Sequence, residues 1–386
     1  MIRPVAFYAP IKPPGHATPS GDRRMARALI AALEAVGRPV ELASRLRSYD
    51  RTGDPVRQRR IEALGGRLAD HLLRRYRNRP PDRRPQAWLT YHAYHKSPDW
   101  LGPSVADGLG IPYLLAEASF APKRAAGPFA RAHAATERAI RRADLVLALT
   151  ARDTECLTAL IAPPAELRRL PPFLDPAPFR AARAARARHR AELSARLGLD
   201  PAAPWLLVVA MMRADVKRDS YLQLAAALGR LRARTWQLLV VGDGPARPEI
   251  EGALSRLGRI VFAGALPEAE PPAYYAAADL YVWPAVREAY GLALLEAGAA
   301  GLPVVAGREG GVAEVVIDGV TGLLVPAGDP AGFAAAVDHL LAEPQRRLAM
   351  GEVGARFVAE ERSLETASAI LDAALAAAPA IRAARR

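Results

Sequence analysis

Twice along this chain of 386 residues, short apolar runs alternate with helix-period segments, and that rhythm leaves few folds open. In the first pass the runs are IRPVAFYA (2–9), QAWLTY, LGIPYLLAEAS and ADLVLALT, with helices between them from about Met25 to Val36 and from Ala130 to Ala143. After Leu170 the composition turns Pro-rich and then Ala/Arg-rich, as in a connection followed by a surface helix. The alternation then resumes with PWLLVVAMMR, WQLLVVGDG, IVFAGAL, LYVWPA and PVVAG, separated by helices 218–233, 246–256 and 271–278. A small hairpin-like segment, VVIDGVTGLLVPAGD, and two closing helices complete the pattern. Strand–helix alternation predicts parallel sheets covered on both faces, with ligands at the carboxyl ends of the strands. The chain is long for one domain and suited to two, so the expected architecture is α/β, with two Rossmann-like doubly wound domains facing a central cleft. The boundary is expected near Asp175, giving domains 1–175 and 176–386, with the last helix, about 363–386, free to pack back on the first.

Charge separates the halves. Residues 1–200 hold 35 Lys plus Arg against 19 Asp plus Glu, net +16, and the remainder 18 against 21, net −3. An anionic partner is therefore expected at the first half: a membrane surface, a lipid pyrophosphate or an acidic glycan. No nucleic-acid-binding pattern accompanies the charge, so nucleic acid is not an expected partner. Arg51–Arg84 holds 11 positive and 4 negative side chains, with Ile61, Leu64, Leu68, Leu72 and Tyr76 at helical spacing. Such a helix, expected to be interrupted or bent near Gly65 and Gly66, either packs on its domain with a solvated basic face or presents residues 56–79 to anionic lipid. A lone cysteine, Cys156, excludes an internal disulfide framework. The amino terminus lacks a signal-peptide pattern, and no uncharged run approaches the roughly 18 residues of a membrane span. The expected location is the cytoplasm, or peripherally the inner face of the membrane.

Several strand-end residues are suited to chemistry. In WPAVREAYGLALLEAGAAGLPVVAG, Glu288 and Glu296 lie eight residues apart across a predicted helix start at Gly291. The free amides of that start face any anion lying between the two acids. Arg213 and Lys217, in the loop after the first strand of the second half, are placed to clamp a diphosphate. Lysine is used at only four positions, 12, 96, 123 and 217, which adds weight to Lys217. In the first half, His92 and Glu117 fall at strand ends, and the loop with Gly15, Ser20 and Gly21 is either a phosphate-approaching turn or a plain one. Gly242-Asp243-Gly244 lacks the third glycine of a dinucleotide fingerprint. No GxSxG, HExxH, CxxC or Asp-x-Asp signal occurs, and no metal ligand set is expected.

From Trp205 to Phe357 the chain resembles the retaining glycosyltransferases of family 4, which have the GT-B fold. The carrying motifs are AMMRADVK, VVGDGP, VFAGAL, YYAAADLYVWP, REAYGLALLEAGAAGLPVVAG, GG followed by Glu314, and DGVTGLLVPAGD, with Glu288 and Glu296 as the E-x7-E pair. Residues 1–175 match more loosely. The resemblance implies a nucleotide-sugar-binding second domain and an acceptor-binding first domain, with no cofactor beyond a UDP- or GDP-sugar co-substrate. It implies that Glu296 binds the ribose and that Arg213 and Lys217 neutralise the diphosphate. Glu288 would face the donor sugar as a catalytic group, with amides around Tyr290, Gly291, Leu292 and Ala293 completing the contacts. The base would lie near Gly264 to Leu266, and the loop at Ser20 and Gly21 would close on the donor. Where relatives often carry a histidine, this chain has Ala118, which leaves His92 and Glu117 as the first domain's catalytic candidates. The implied function is metal-independent, retaining transfer of a sugar to a glycan or lipid-linked acceptor in surface polysaccharide or glycoconjugate assembly. Two alternatives stay open: a GT-B epimerase or phosphorylase, and a non-catalytic sugar-nucleotide or glycan binding protein.

Overall fold

A computed structural model describes residues 2–163 and 165–385. The chain divides into two compact units, Met1–Pro171 with Leu364–Arg386, and Pro172–Ser363. The first carries 32 Lys plus Arg against 18 Asp plus Glu, net +14, and the second 21 against 22, net −1.

Six parallel strands form the first unit's sheet: β1 (Val5–Tyr8), β2 (Val40–Ser44), β3 (Ala87–Ala93), β4 (Tyr113–Ala118), β5 (Leu145–Ala148) and β6 (Glu166–Arg169). Their order is β2-β1-β3-β4-β5-β6. The central strands are buried on both faces, so they read as continuous apolar runs. The edge strands VELAS and ELRR carry charge instead, which is why periodicity did not reveal them; charged edges also discourage pairing with other chains. Glu41 on β2 is held by Arg75 at 2.5 Å and Arg79 at 2.6 Å. Strand order reverses direction between β1 and β3, so the crevice at their carboxyl ends is the place where side chains from different loops converge.

The second unit contains β7 (Trp205–Val209), β8 (Gln237–Val241), β9 (Ile260–Gly264), β10 (Leu280–Trp283), β11 (Val304–Arg308) and β12 (Gly322–Pro326), in the order β12-β11-β10-β7-β8-β9. Here the reversal lies between β7 and β10. The expected hairpin is instead a turn leading into β12, which pairs with β11 in parallel. Asp318 causes this: its Oδ1 accepts the Leu324 N–H at 2.9 Å, steering the apolar LLV segment onto the sheet rather than back on itself. Three helices, not two, follow: Pro330–Ala342, Pro344–Glu361 and Leu364–Ala384.

One device recurs in both sheets. In each ADL sequence the aspartate accepts the first N–H of a neighbouring strand: Asp144 from Tyr113 and Asp279 from Trp205, at 2.8 and 2.7 Å. Arginines neutralise both. Arg186 and Arg190 clamp Asp279 at 2.7 and 3.0 Å, so the Ala/Arg-rich segment, expected as a surface helix, is instead pinned to the sheet. Arg142, Arg382 and Arg385 surround Asp144 at 3.1 to 3.9 Å, and two of them come from the end of the chain. Leu364–Ala384 is the one helix among the described residues long and apolar enough to cross a membrane. Its buried positions, Ala367, Leu371, Ala374, Ala378 and Ile381, recur at helical spacing, and Asp372 pairs with Arg38 at 2.8 Å within the first unit.

The basic helix runs unbroken from Pro55 to Arg77. Gly65 is no bend: it lies where the helix crosses Trp100, and a Cβ there would sit 2.5 Å from that residue's Cβ. The buried face is Gln58, Gly65, Ala69, Leu72 and Tyr76, whereas Leu64, expected in the apolar stripe, is exposed. The helix expected from Met25 begins at Gly21, because the Ser20 hydroxyl accepts the Arg23 N–H and caps it there.

Candidate functional site

At the β7/β10 reversal, two loops bring a cation and a carboxylate together. Asp215 caps the Val216–Leu228 helix by accepting the Lys217 N–H at 3.0 Å, which sets the first-turn side chain of Lys217 toward the sheet edge. The loop after β10 is tied to the same helix: Val286 N–H donates to the Ser220 hydroxyl at 3.0 Å, and Arg287 pairs with Asp219 at 3.1 Å. Ala285 and Arg287 hold left-handed backbone at φ 58° and 49°, a strained conformation for residues with a side chain. Glu288 is thereby aimed at Lys217, with Nζ to Oε2 at 2.5 Å and both side chains less than one-fifth exposed. The Trp283 indole N–H donates to the same oxygen at 3.1 Å, and its ring lies 5.3 Å below the Lys217 ammonium. Sequence reasoning missed Trp283; its place at the end of β10, directly before the loop, is the signal that was available.

Gly291 caps the Leu292–Ala299 helix with φ 73°, a position where a Cβ would meet the Leu294 side chain at 2.8 Å. The Leu292 and Ala293 amides open that helix and have no intrahelical acceptor. Tyr290 is buried beside them. Glu296 is only 1% exposed, and its Oε2 accepts the Tyr275 hydroxyl at 2.8 Å, so it stands apart from the Lys217–Glu288 pair. Arg213 also stands apart, half-exposed and paired with Asp215 at 3.1 Å. Gly264 ends β9, two strands from the reversal, with Leu266 following it.

The first unit presents a second constellation at its own reversal. Asp22, in the first turn of the Gly21–Ala35 helix, accepts from His92 Nδ1 at 3.0 Å, and Glu117 Oε1 lies 3.5 Å from the same nitrogen. Burial opposes a charged His92, but the Glu117, Asp22 and Asp153 carboxylates outweigh it and push the imidazole up to about 9. Glu117 is raised, chiefly by burial and further by Asp22 and Asp153, with His92 offsetting only part. Burial also works to raise Asp22, yet His92 and Lys12 hold it below the ordinary carboxylate range. Ala118 is fully buried at the end of β4, and the imidazole comes from β3, the adjacent strand. Gly21 serves as the first residue of the helix bearing Asp22, a residue that no sequence motif had singled out. Among the described residues, no group of three or more His, Cys, Asp or Glu is arranged to hold a metal ion.

Residues 203–343 match the family model described as glycosyl transferases group 1. Over these residues the chain is similar to a group 1 glycosyltransferase domain. Arg213, Lys217, Gly264, Leu266, Glu288, Gly291 and Glu296 all lie within this matched stretch. Among similar proteins, a GDP-mannose-dependent alpha-(1-6)-phosphatidylinositol monomannoside mannosyltransferase of Mycolicibacterium smegmatis is 34% identical over 252 residues, covering 62% of this chain and 64% of the relative. The alpha-D-kanosaminyltransferase of Streptomyces kanamyceticus is 34% identical over 236 residues, 60% of each chain. The chain thus spans less than two thirds of the length of these relatives. Two solved structures share the whole fold: a sucrose-phosphate synthase from Thermosynechococcus elongatus, with TM-score 0.72, 21% identity and coverage of 96% of this chain and 98% of the other, and Anabaena HepE in complex with UDP, with TM-score 0.70, 16% identity and coverage of 97 and 100%. The matched residues therefore lie in the second half of a GT-B fold, and the first unit supplies the other Rossmann-like half.

Proposed function

We propose that the protein is a retaining, metal-independent glycosyltransferase of family 4 that moves a sugar from a UDP- or GDP-sugar to a glycan or lipid-linked acceptor in surface polysaccharide or glycoconjugate assembly. The Lys217–Glu288 pair at the β7/β10 crevice carries this reading, because it sets a cation and a carboxylate beside the amides of a helix start, inside the matched domain. An ammonium has three donors, so Lys217 reaches a diphosphate oxygen while keeping Glu288. The leaving nucleoside diphosphate gains charge as the glycosidic bond breaks, and cations with oriented amides stabilise that charge where it develops. Glu288, fixed by Trp283, faces the donor sugar; Glu296 binds the ribose, and its tie to Tyr275 sets the carboxylate's orientation. His92 and Glu117 serve the acceptor side.

The relatives' names support the donor classes: one is GDP-mannose-dependent, and one solved structure holds UDP. On the Pro55–Arg77 helix, Val56 and Leu64 are exposed among Arg57, Arg59, Arg60, Arg67 and Arg74, which suits a cytoplasmic enzyme resting on anionic lipid. Nucleotide release from a panel of UDP- and GDP-sugars, with and without acceptor and in EDTA, tests the proposal. Acceptor-dependent release that survives EDTA is expected; isomerisation without acceptor identifies an epimerase, and no turnover of any donor defeats the proposal. Co-sedimentation with anionic but not neutral vesicles checks the membrane contact.

A further inference from the structure

We infer that a cleft in the first unit, beneath the amino-terminal half of the Pro55–Arg77 helix, binds a vicinal diol of a saccharide, with Asp50 and Gln58 accepting from its hydroxyls and Lys96 donating to one of them. The inference goes beyond the glycosyltransferase reading, and its outcome is read separately from the donor site of the second unit.

The cleft is built where strands end. Ser48 and Asp50 follow β2, and Lys96 and Trp100 follow β3, the two strands that flank β1, so both loops lie at the carboxyl edge where an open parallel sheet gathers its ligands. The loops are tied to each other: the Asp50 N–H donates to the Lys96 carbonyl at 2.8 Å, and the Ser48 hydroxyl to the Pro98 carbonyl at 2.7 Å. Gln58 closes the cleft from the helix, its side-chain amide held by the Pro128 carbonyl at 2.7 Å. Ser48, Asp50 and Gln58 form a buried polar floor, while Ile61, Lys96 and Trp100 make a half-buried rim.

Two acceptors on this floor are unmet. Asp50 and Gln58 are each only 4% exposed, and among the described residues neither Asp50 Oδ2 nor Gln58 Oε1 has a hydrogen-bond partner. The other Asp50 oxygen, Oδ1, accepts the Thr52 N–H and hydroxyl at 3.2 and 3.3 Å, and Arg57 lies 4.0 Å from that same atom. The Gln58 NH2 group must face the Pro128 carbonyl, so its oxygen cannot exchange places with it. Buried acceptors are normally satisfied, and leaving one without a donor is costly. The floor therefore calls for two donors, which neighbouring hydroxyls of one ligand supply. An ammonium would meet Lys96 on the rim, and a phosphate would bring acceptors to acceptors. A hydroxyl both donates to the floor and accepts from Lys96. The floor is narrow, with room for hydroxyls rather than a ring, so the sugar ring lies over the rim against Trp100 and Ile61.

The test uses the full chain and saturation-transfer NMR, with methyl α-mannoside and methyl α-glucoside each set against its fully O-methylated analogue, which keeps the ring but has no O–H donor. The glycosides with free hydroxyls are expected to bind on the order of tenfold more tightly. Asp50→Asn keeps an oxygen for the Thr52 contacts and replaces Oδ2 by an NH2 group, so it should weaken glycoside binding by about tenfold. Lys96→Met should weaken it by about threefold, while UDP or GDP affinity stays within about twofold in both variants. Equal binding of free and methylated probes, no binding of any probe, or wild-type binding by folded Asp50→Asn overturns the inference. Glycoside binding that is lost with Glu288→Gln but kept with Asp50→Asn places the sugar in the second unit and also overturns it. If Asp50→Asn does not fold, Lys96→Met on the rim decides in its place. A wild type that binds neither UDP nor GDP defeats the glycosyltransferase reading instead, and the glycoside comparison still reads this cleft.

Discussion

The two sheets are entered alike and left differently. Each receives its ADL strand with an aspartate that takes a neighbouring strand's first N–H and is neutralised by arginine. At the opposite edge, the second sheet ends in an ammonium bound to a carboxylate, and the first in an imidazole between carboxylates. The difference teaches a division of labour: strand entries hold paired charges that fix the sheets, whereas strand exits present different charge patterns, a cation beside a carboxylate at one and an imidazole among carboxylates at the other.

The entries give the largest effect. Asp144 is 1% exposed, accepts the Tyr113 N–H and sits among three arginines, so Asp144→Ala leaves a buried amide without its acceptor and weakens the charge balance that Asp107 only partly supplies; it should cost about 3–5 kcal/mol in urea unfolding. Asp279 is more exposed, and Asp279→Ala should lie at or below the lower end, about 3 kcal/mol. A reversed order would break the comparison.

Exit chemistry should instead appear in activity. Glu288→Gln and Lys217→Ala are each expected to lower kcat by about 10²- to 10³-fold. Melting temperatures near wild type would separate that loss from unfolding.

Smaller again is the effect at the basic helix. Gly65→Ala drives a methyl into Trp100 and should destabilise by about 1–3 kcal/mol, whereas Gly66→Ala meets open space and should stabilise by roughly 0.5–1 kcal/mol. Thermal melts of the two variants shift in opposite directions if Gly65 marks a close approach rather than a bend.

The smallest signal is in pH. The His92 pKa rises from 6.5 to about 9 in the folded chain, so its contribution to stability is fully present below pH 6.5 and is lost as pH rises through about 9. His92→Gln should remove that decline from a pH series of unfolding free energies.

The fold was legible wherever strands were buried on both faces, since LLVV and VLAL runs allow little else. It was illegible at β2 and β6, where edge position favours charge over apolar residues. At the site, residue type and spacing found Lys217 and Glu288 but not their contact, which depends on two left-handed residues, Ala285 and Arg287, that no pattern announces. Trp283 was hidden for a related reason: an apolar residue ending a strand looks like core until its indole N–H is seen at Glu288. Asp22 passed as an ordinary first-turn acid.

The helix Leu364–Ala384 groups with the first unit although all of Pro172–Ser363 precedes it. Leu174 bridges to Ser363, so the two crossings of the chain run side by side, and the second unit is an insertion with adjoining ends. During synthesis the second unit is therefore the first that can finish folding. Until the residues from Leu364 to Arg385 emerge, the first unit has the face of its Gly21–Ala35 helix uncovered and Asp144 short of two arginines.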